Sequence, residues 1–314
     1  MITRKILLAA SLSLVSGAAM AQVSIESCET VFDYAEPPAR AISVFQQTTE
    51  IMLALELEDR LIATAYLEDA IPEKWQAAYE SIGQHYEEVP AREVVLASDA
   101  DFLFSGFTSA FRDNQLGPES EWHAMGVGTY LVDSECRNKY PGDTRIPVET
   151  IFVDLERIGA LFGVEDRADA LIAELKARLD AATEHRPGEG LSAFLFDSGS
   201  DTPFSAGCCG SAGLLLESVG LDNIAGDVEG RWADLSWEAV VTADPDVIVL
   251  NDAGWSTAED KRAYMENDPV LSELAAVKAG RFVTVPFSET VLGVRFVDGI
   301  ERLSDGLAAL DIAR

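Results

Sequence analysis

From residue 147 to residue 184 the chain shows helical periodicity and no strand, while on both sides short apolar strands alternate with helices. Alternating strands and helices build a parallel sheet. A sheet interrupted by so long a helical stretch is expected to restart as a second one, so the chain should hold two sheets.

Before the break, residues 41–45 and 61–65 read as strands around a helix that opens at Thr48, Thr49 and Glu50. A helix at 90–97, a strand at 101–105, a helix opening on Pro118 and a strand at 127–132 follow. Within the break, residues 147–162 and 166–184 are helical, with Ala168, Leu171, Ile172, Leu175, Leu179 and Ala182 on one stripe. The second of these helices would run about 28 Å at 1.5 Å per residue. Strands resume at 191–196, 247–250 and 282–285, and a last helix starts near Phe296. The expected fold class is therefore α/β, with two α/β lobes of parallel-type sheets joined by a long helical bridge. The expected bounds are 22–146 for the N-terminal lobe, 147–186 for the bridge and 187–314 for the C-terminal lobe.

The lobes also share a local sequence. AREVVLASDADFLFSG at 91–106 and SWEAVVTADPDVIVLN at 236–251 align without a gap, matching Glu93 with Glu238, Asp99 with Asp244 and Asp101 with Asp246. Each copy reads as a helix with a glutamate in its first turn, then a turn, then a strand.

Residues 1–21 hold Arg4 and Lys5, an apolar run and an Ala-Met-Ala end, the pattern of a signal peptide cleaved before Gln22. No later apolar run reaches the roughly 20 residues that span a bilayer, and the residue directly after the cleavage site is Gln22 and not a cysteine. A soluble, exported monomer is expected, most simply in a bacterial periplasm.

A formal net charge of −31 rules against nucleic acid, whose phosphates are bound by clustered Lys and Arg. With only His85, His123 and His185, and with neither an H-E-x-x-H helix nor a G-x-S-x-G elbow, no catalytic residue, resident cofactor or protein-held metal is expected. Four cysteines, Cys28, Cys136, Cys208 and Cys209, allow three pairings in an oxidising compartment, and sequence alone does not choose among them.

The stretch PPARAISVFQQTTEIMLALELEDRLIATAYLED, residues 37–69, resembles the opening strand, Thr-Glu helix and second strand of the solute-binding proteins of ABC importers for ferric siderophores, haem and cobalamin. DLSWEAVVTADPDVIVL, residues 234–250, resembles the C-lobe signature of that family. The resemblance covers essentially the whole mature chain. It implies two lobes on a rather rigid helical bridge, with the ligand held in the cleft and little closure on binding.

The same resemblance implies a role for the repeat. Glu93 and Glu238 would each dock into an arginine pocket on one of two importer membrane subunits, besides complementing the positive end of their own helix. It also makes Cys28 with Cys136 the better disulfide pair, since both fall in the N-lobe.

Ligand contacts are expected on loops leaving the C-terminal ends of the strands. In the N-lobe these carry Gln46, Gln47, Thr48, Tyr66, Phe107, Thr108 and Arg137. In the C-lobe they carry Cys208, Cys209, Arg231, Trp232, Trp255, Phe287 and Arg295. Aromatic faces suit a flat or greasy chelate, and arginines suit its carboxylates. The expected ligand is a small-molecule metal chelate of the iron(III)-siderophore type, with cobalamin or another cofactor precursor as the alternative. Cys208-Cys209, set between Gly207 and Gly210, leaves open a vicinal disulfide, other pairings, or thiols for a soft metal. An exported thiol redox or metal-binding protein is the corresponding alternative function.

Overall fold

The computed structural model describes residues 22–310 and residue 312. The signal peptide expected over 1–21 lies outside the described residues.

The chain begins with a hairpin that the sequence reading missed. Strands β1 (Val23–Ser27) and β2 (Thr30–Tyr34) pair antiparallel, with Val23 opposite Tyr34 and Ser27 opposite Thr30. Ile25 and Tyr34 are buried, the period of two that one covered face produces. Cys28 turns the hairpin at φ 54° and is disulfide-bonded to Cys136, the pairing expected from the resemblance.

The N-lobe then alternates as expected. It runs β3 (Ala41–Val44), α1 (Gln46–Ala54), β4 (Leu61–Ala65), α2 (Glu73–Glu80), β5 (His85–Tyr86), α3 (Arg92–Ala97), β6 (Phe102–Ser105), α4 (Glu119–Ala124) and β7 (Gly128–Leu131). The five strands lie in the order β5-β4-β3-β6-β7, every pair parallel. All four residues of β3 and of β6 are buried, because helices cover both faces of such a sheet.

The bridge consists of two helices, as the periodicity over 147–162 and 166–184 predicts. α5 (Thr150–Phe162) ends at Gly163, whose φ of 69° is the left-handed stop that glycine supplies, and α6 (Glu165–Glu184) follows. The pair packs closely at Gly159, where an added Cβ would lie 2.6 Å from the Ala168 Cβ. One apolar core runs from Phe102 in the N-lobe through Ile158, Leu161 and Ile172 of the bridge to Val219 and Leu303 in the C-lobe.

The C-lobe contains β8 (Ser192–Phe196), β9 (Phe204–Ala206), α7 (Ser211–Ser218), β10 (Asp222–Asn223), β11 (Trp232–Asp234), α8 (Trp237–Ala243) and β12 (Val247–Asp252). It ends with α9 (Ala258–Asn267), α10 (Ala275–Lys278), β13 (Phe282–Pro286) and α11 (Phe296–Ala309). Its parallel sheet has the order β10-β8-β12-β13, and β9 and β11 form a separate antiparallel pair. α6 is tied to α11 by Arg178, which bonds Asp298 at 2.5 Å and Glu301 at 2.6 Å.

The repeated sequence does the same work in both lobes. Asp99 and Asp244 follow α3 and α8 at φ 54° and 42°, turning the chain from helix to strand. Asp101 then accepts from the backbone N–H of Ala39 (2.8 Å) and Arg40 (2.9 Å), just ahead of the central strand β3. Asp246 likewise accepts from the Ser192 N–H at 2.9 Å, at the start of the central strand β8. In each lobe one carboxylate holds the entrance to the neighbouring strand. Among the described residues no helix is long and apolar enough to cross a membrane.

Candidate ligand-binding cleft

The strands of both sheets point their C-terminal ends at the seam between the lobes, and two backbone features mark the N-lobe side. Phe45 and Tyr66, immediately after β3 and β4, both sit at positive φ (78° and 55°), a conformation costing side-chain-bearing residues about 1–3 kcal/mol and tolerated where the surroundings enforce it. Their rings pack edge to face 5.5 Å apart, and Phe107, after β6, lies 4.9 Å from Phe45. Of this aromatic cluster, Phe107 reaches the space between the lobes.

Across the seam, Arg231 reaches from the loop before β11 to the N-lobe. One guanidinium nitrogen bonds Glu135 and the other donates to the Ser134 carbonyl at 2.7 Å. Glu135 also accepts from the N–H and hydroxyl of Thr108 at 3.2 and 3.3 Å. This pair separates two spaces. The inner one, beside Gln47, Ser134, Ser211 and Leu292, is about 30 Å³, the volume of a single water in the liquid. The outer one is about 330 Å³, lined by Phe107, Thr108, Arg112, Arg137, Arg231 and Trp232 among others. Three arginines face one glutamate around that outer space, in a chain whose formal net charge is −31.

Of the expected ligand residues, then, Phe107, Thr108, Arg137, Arg231 and Trp232 line the outer cavity, and Gln47 lines the inner one. Phe287 is buried behind them, parallel to the Trp232 ring at 6.4 Å, and the half-exposed Trp255 packs edge-on against it at 5.7 Å. Tyr66 lines neither space, and its ring packs against Phe45. Gln46 and Thr48 line neither space and spend their side chains internally, Gln46 on Glu50 (2.8 Å) and Thr48 on the Val44 carbonyl (2.8 Å). Cys208 and Cys209 are bonded to each other, and Cys208 lines a different cavity. Arg112 was not among the expected residues, while Glu135 falls in the expected loop 134–137 that also carries Arg137. Arg112 follows the short 3-10 turn at 108–111, whose orientation is set by neighbouring contacts, and no local signal in the sequence singled it out.

Arg295 occupies a different position from the cleft loops. It is buried and fastens the lobes at one edge of the seam, bonding Glu50 (3.2 Å) and Asp69 (3.1 Å) of the N-lobe and Glu289 (2.7 Å) of its own. Asp69 also accepts from the Ser288 N–H and hydroxyl at 3.0 and 2.6 Å. Beside it, buried Glu68 accepts from the Gln46 N–H at 2.9 Å. Burial, reinforced by Asp69 and Glu50, pushes the Glu68 carboxyl up from 4.5 to about 8 despite its backbone hydrogen bonds. The folded chain therefore holds a proton there that the unfolded chain releases above about pH 4.5. Stability contributed by this group falls as pH rises from about 4.5 to about 8. Denaturant unfolding of Glu68→Gln should lack a decline that the parent shows, of at most about 1.4 kcal/mol per pH unit; parallel curves for the two would overturn this.

The periplasmic binding protein family's profile matches residues 42–289. An uncharacterized ABC transporter substrate-binding lipoprotein of Bacillus subtilis, YvrC, is 26% identical over 281 residues, covering 86% of this chain and 80% of its own. The crystal structure of a periplasmic binding protein from Veillonella parvula superposes with a TM-score of 0.78 at 29% identity, over 93% of this chain and 99% of that one. The structure of an ABC-type Fe3+-hydroxamate transport system protein from Saccharomonospora viridis superposes with a TM-score of 0.75 at 24% identity, over 91% and 99%. The resemblance read from residues 37–69 and 234–250 is borne out, and the chain belongs to the periplasmic binding protein family.

Proposed function

We propose that the protein captures an iron(III)-siderophore-type metal chelate in the periplasm, as a soluble monomer, and delivers it to an ABC importer. The observation that carries this reading is the outer cavity, where aromatic faces of Phe107 and Trp232 and the guanidinium groups of Arg112, Arg137 and Arg231 surround about 330 Å³ between the lobes. A chelate seats there because the inner space is too small for one. Aromatic rings cover its apolar ligand framework, and the arginines pair with its anionic oxygens. Long-range repulsion from the acidic surface is screened beyond about 8 Å at physiological ionic strength, so the local arginines control the encounter. The name of the Bacillus relative supports the importer, and that of the Saccharomonospora neighbour accords with an iron chelate.

Docking to the importer falls to Glu93 and Glu238. Both are exposed in the first turns of α3 and α8, and Val94 and Leu96 beside Glu93 are exposed apolar residues.

Native mass spectrometry of the mature protein with a panel of ferric siderophores, haem and cobalamins, each also without its metal, tests the ligand class. One stoichiometric adduct that requires iron is expected, and Arg231→Ala should weaken it at least tenfold. An adduct with cobalamin or haem alone would replace the siderophore reading, and no adduct from the panel would overturn the metal-chelate reading.

A further inference from the structure

The disulfide between Cys208 and Cys209 takes no part in the cleft contacts described above. A disulfide stabilises a fold mainly by restricting the unfolded chain, more so the longer the loop it closes. Cys28 and Cys136 are 108 residues apart, whereas Cys208 and Cys209 are adjacent. The vicinal bond therefore restricts the unfolded chain very little, and its effect is local to the loop at 207–210.

That loop is the backing of the cleft wall. The N–H groups of Gly207, Cys208 and Cys209 donate to the carbonyls of Arg231 (3.1 Å), Val228 (3.0 Å) and Gly230 (3.2 Å). The two backbones approach too closely for side chains: a Cβ on Gly207 would lie 2.4 Å from the Gly230 carbonyl oxygen, and one on Gly210 would lie 2.6 Å from that of Arg231. Cys209 in turn accepts from the N–H of Ile146, in the segment that leads into the bridge. Arg231 and Trp232, the side chains carried by the apposed segment at the start of β11, line the C-lobe side of the outer cavity.

The pair is also reachable without entering the cleft. Cys208 is half-buried and lines a separate cavity of about 310 Å³ with Arg145, Arg186, Glu217 and Asp222, while Cys209 is buried. Neighbouring guanidinium groups favour thiolate over thiol. Both arginines line this cavity with Cys208, Arg145 ion-paired with Glu217, and Asp222 and Asp227 line it too.

We propose that Cys208-Cys209 is a thiol–disulfide exchange site, entered through the Arg145 and Arg186 cavity by a dithiol reductant, whose state sets how Arg231 and Trp232 stand in the cleft. A thiolate of the dithiol attacks the Cys208 Sγ, and the electron pair of the broken S–S bond leaves on the Cys209 Sγ, which takes up a proton. The second thiol of the reductant then attacks the mixed disulfide, closing its own disulfide and releasing Cys208 as a thiol. Two electrons pass from the dithiol to the protein, and reoxidation reverses the sequence. With the bond open, the 208–209 segment regains rotational freedom and its amide bonds to Val228 and Gly230 loosen. The effect on ligand capture rests on the reading of the cleft as the ligand site; the exchange chemistry does not.

The test is stepwise reduction of the full mature chain with dithiothreitol, alkylation, peptide mass spectrometry, and amide hydrogen exchange. Cys208 and Cys209 should both become alkylated at a dithiol concentration at least tenfold below that which opens Cys28–Cys136. Exchange at 208–210 and 230–234 should rise at least threefold in that state, with β3 and β6 unchanged. Cys208→Ser/Cys209→Ser should show the same exchange pattern without reductant, and if it does not fold the reduced parent carries the comparison. Resistance of the vicinal pair until Cys28–Cys136 opens, or unchanged exchange at 230–234 on its reduction, would overturn the proposal. Neither readout uses a chelate, so a negative ligand panel and a negative result here are separate failures.

Discussion

Replacing Arg295 by leucine is expected to lower the unfolding free energy at pH 8 by about 3–5 kcal/mol, the usual cost of removing one partner from a buried ion pair. The carboxylates left behind are not equally affected. Glu289 keeps Arg302 at 2.6 and 2.9 Å, and Asp69 keeps Ser288. Glu50 loses its cation and retains only the Gln46 amide, inside a site from which water is excluded. Burial already outweighs Arg295 enough to hold the Glu50 carboxyl up at about 7. The cost of the substitution should therefore shrink as pH falls below about 6, where Glu50 is protonated with or without the arginine. Arg295→Leu/Glu50→Gln should recover much of the stability, because the stranded charge is gone. Urea unfolding at pH 8 and pH 5 measures both effects. A cost under about 1 kcal/mol at pH 8, or one independent of pH, would mean that this cluster does not fasten the lobes.

Reversing the charges of both exposed glutamates, Glu93→Lys with Glu238→Lys, is expected to abolish uptake in cells while leaving chelate binding by the purified protein unchanged. Each would present a lysine to an arginine pocket, and losing one side of a buried interfacial charge pair costs about 2–5 kcal/mol. Since 1.4 kcal/mol is a factor of ten in affinity, each single reversal should reduce importer affinity at least tenfold. The folded protein should hardly notice. Neither carboxylate is in an ion pair among the described residues, and the favourable helix-dipole contribution lost is about 0.3–1 kcal/mol at each site. Uptake that survives the double reversal, with normal expression and ligand binding, would remove the docking role and leave the glutamates as helix-end charges. A fall in chelate binding would instead place the defect in the protein itself.

The alternation of strand and helix, the restart after residue 184 and the pairing of two lobes were legible because a parallel-sheet strand is a continuous apolar run and an amphipathic helix has its own period. Those signals are local, and the element bounds they yielded fall within a few residues of β3, β4, β6, β7, β8, β12 and β13. The repeat was equally legible, and its aspartates prove to do matched work at Arg40 and Ser192. The β9–β11 pair was not, because its register joins Phe204 with Asp234 across thirty positions and neither three-residue strand carries a period long enough to recognise.

Arg231 and Arg295 show where sequence reasoning stops. Both are arginines near strand ends or loops of the C-lobe, and nothing in their neighbours along the chain separates them. Folding brings Arg231 to Glu135 at the wall of an open cavity, and Arg295 to Glu50, Asp69 and Glu289 in a buried ion-pair cluster. Sequence by itself determined the class of fold, the lobes and the twin docking candidates, since each is written in residues close together in the chain. Tertiary structure alone decided which arginine lines the outer cavity and which holds the lobes together, because that depends on carboxylates up to 245 residues away and on whether water can reach the space between them.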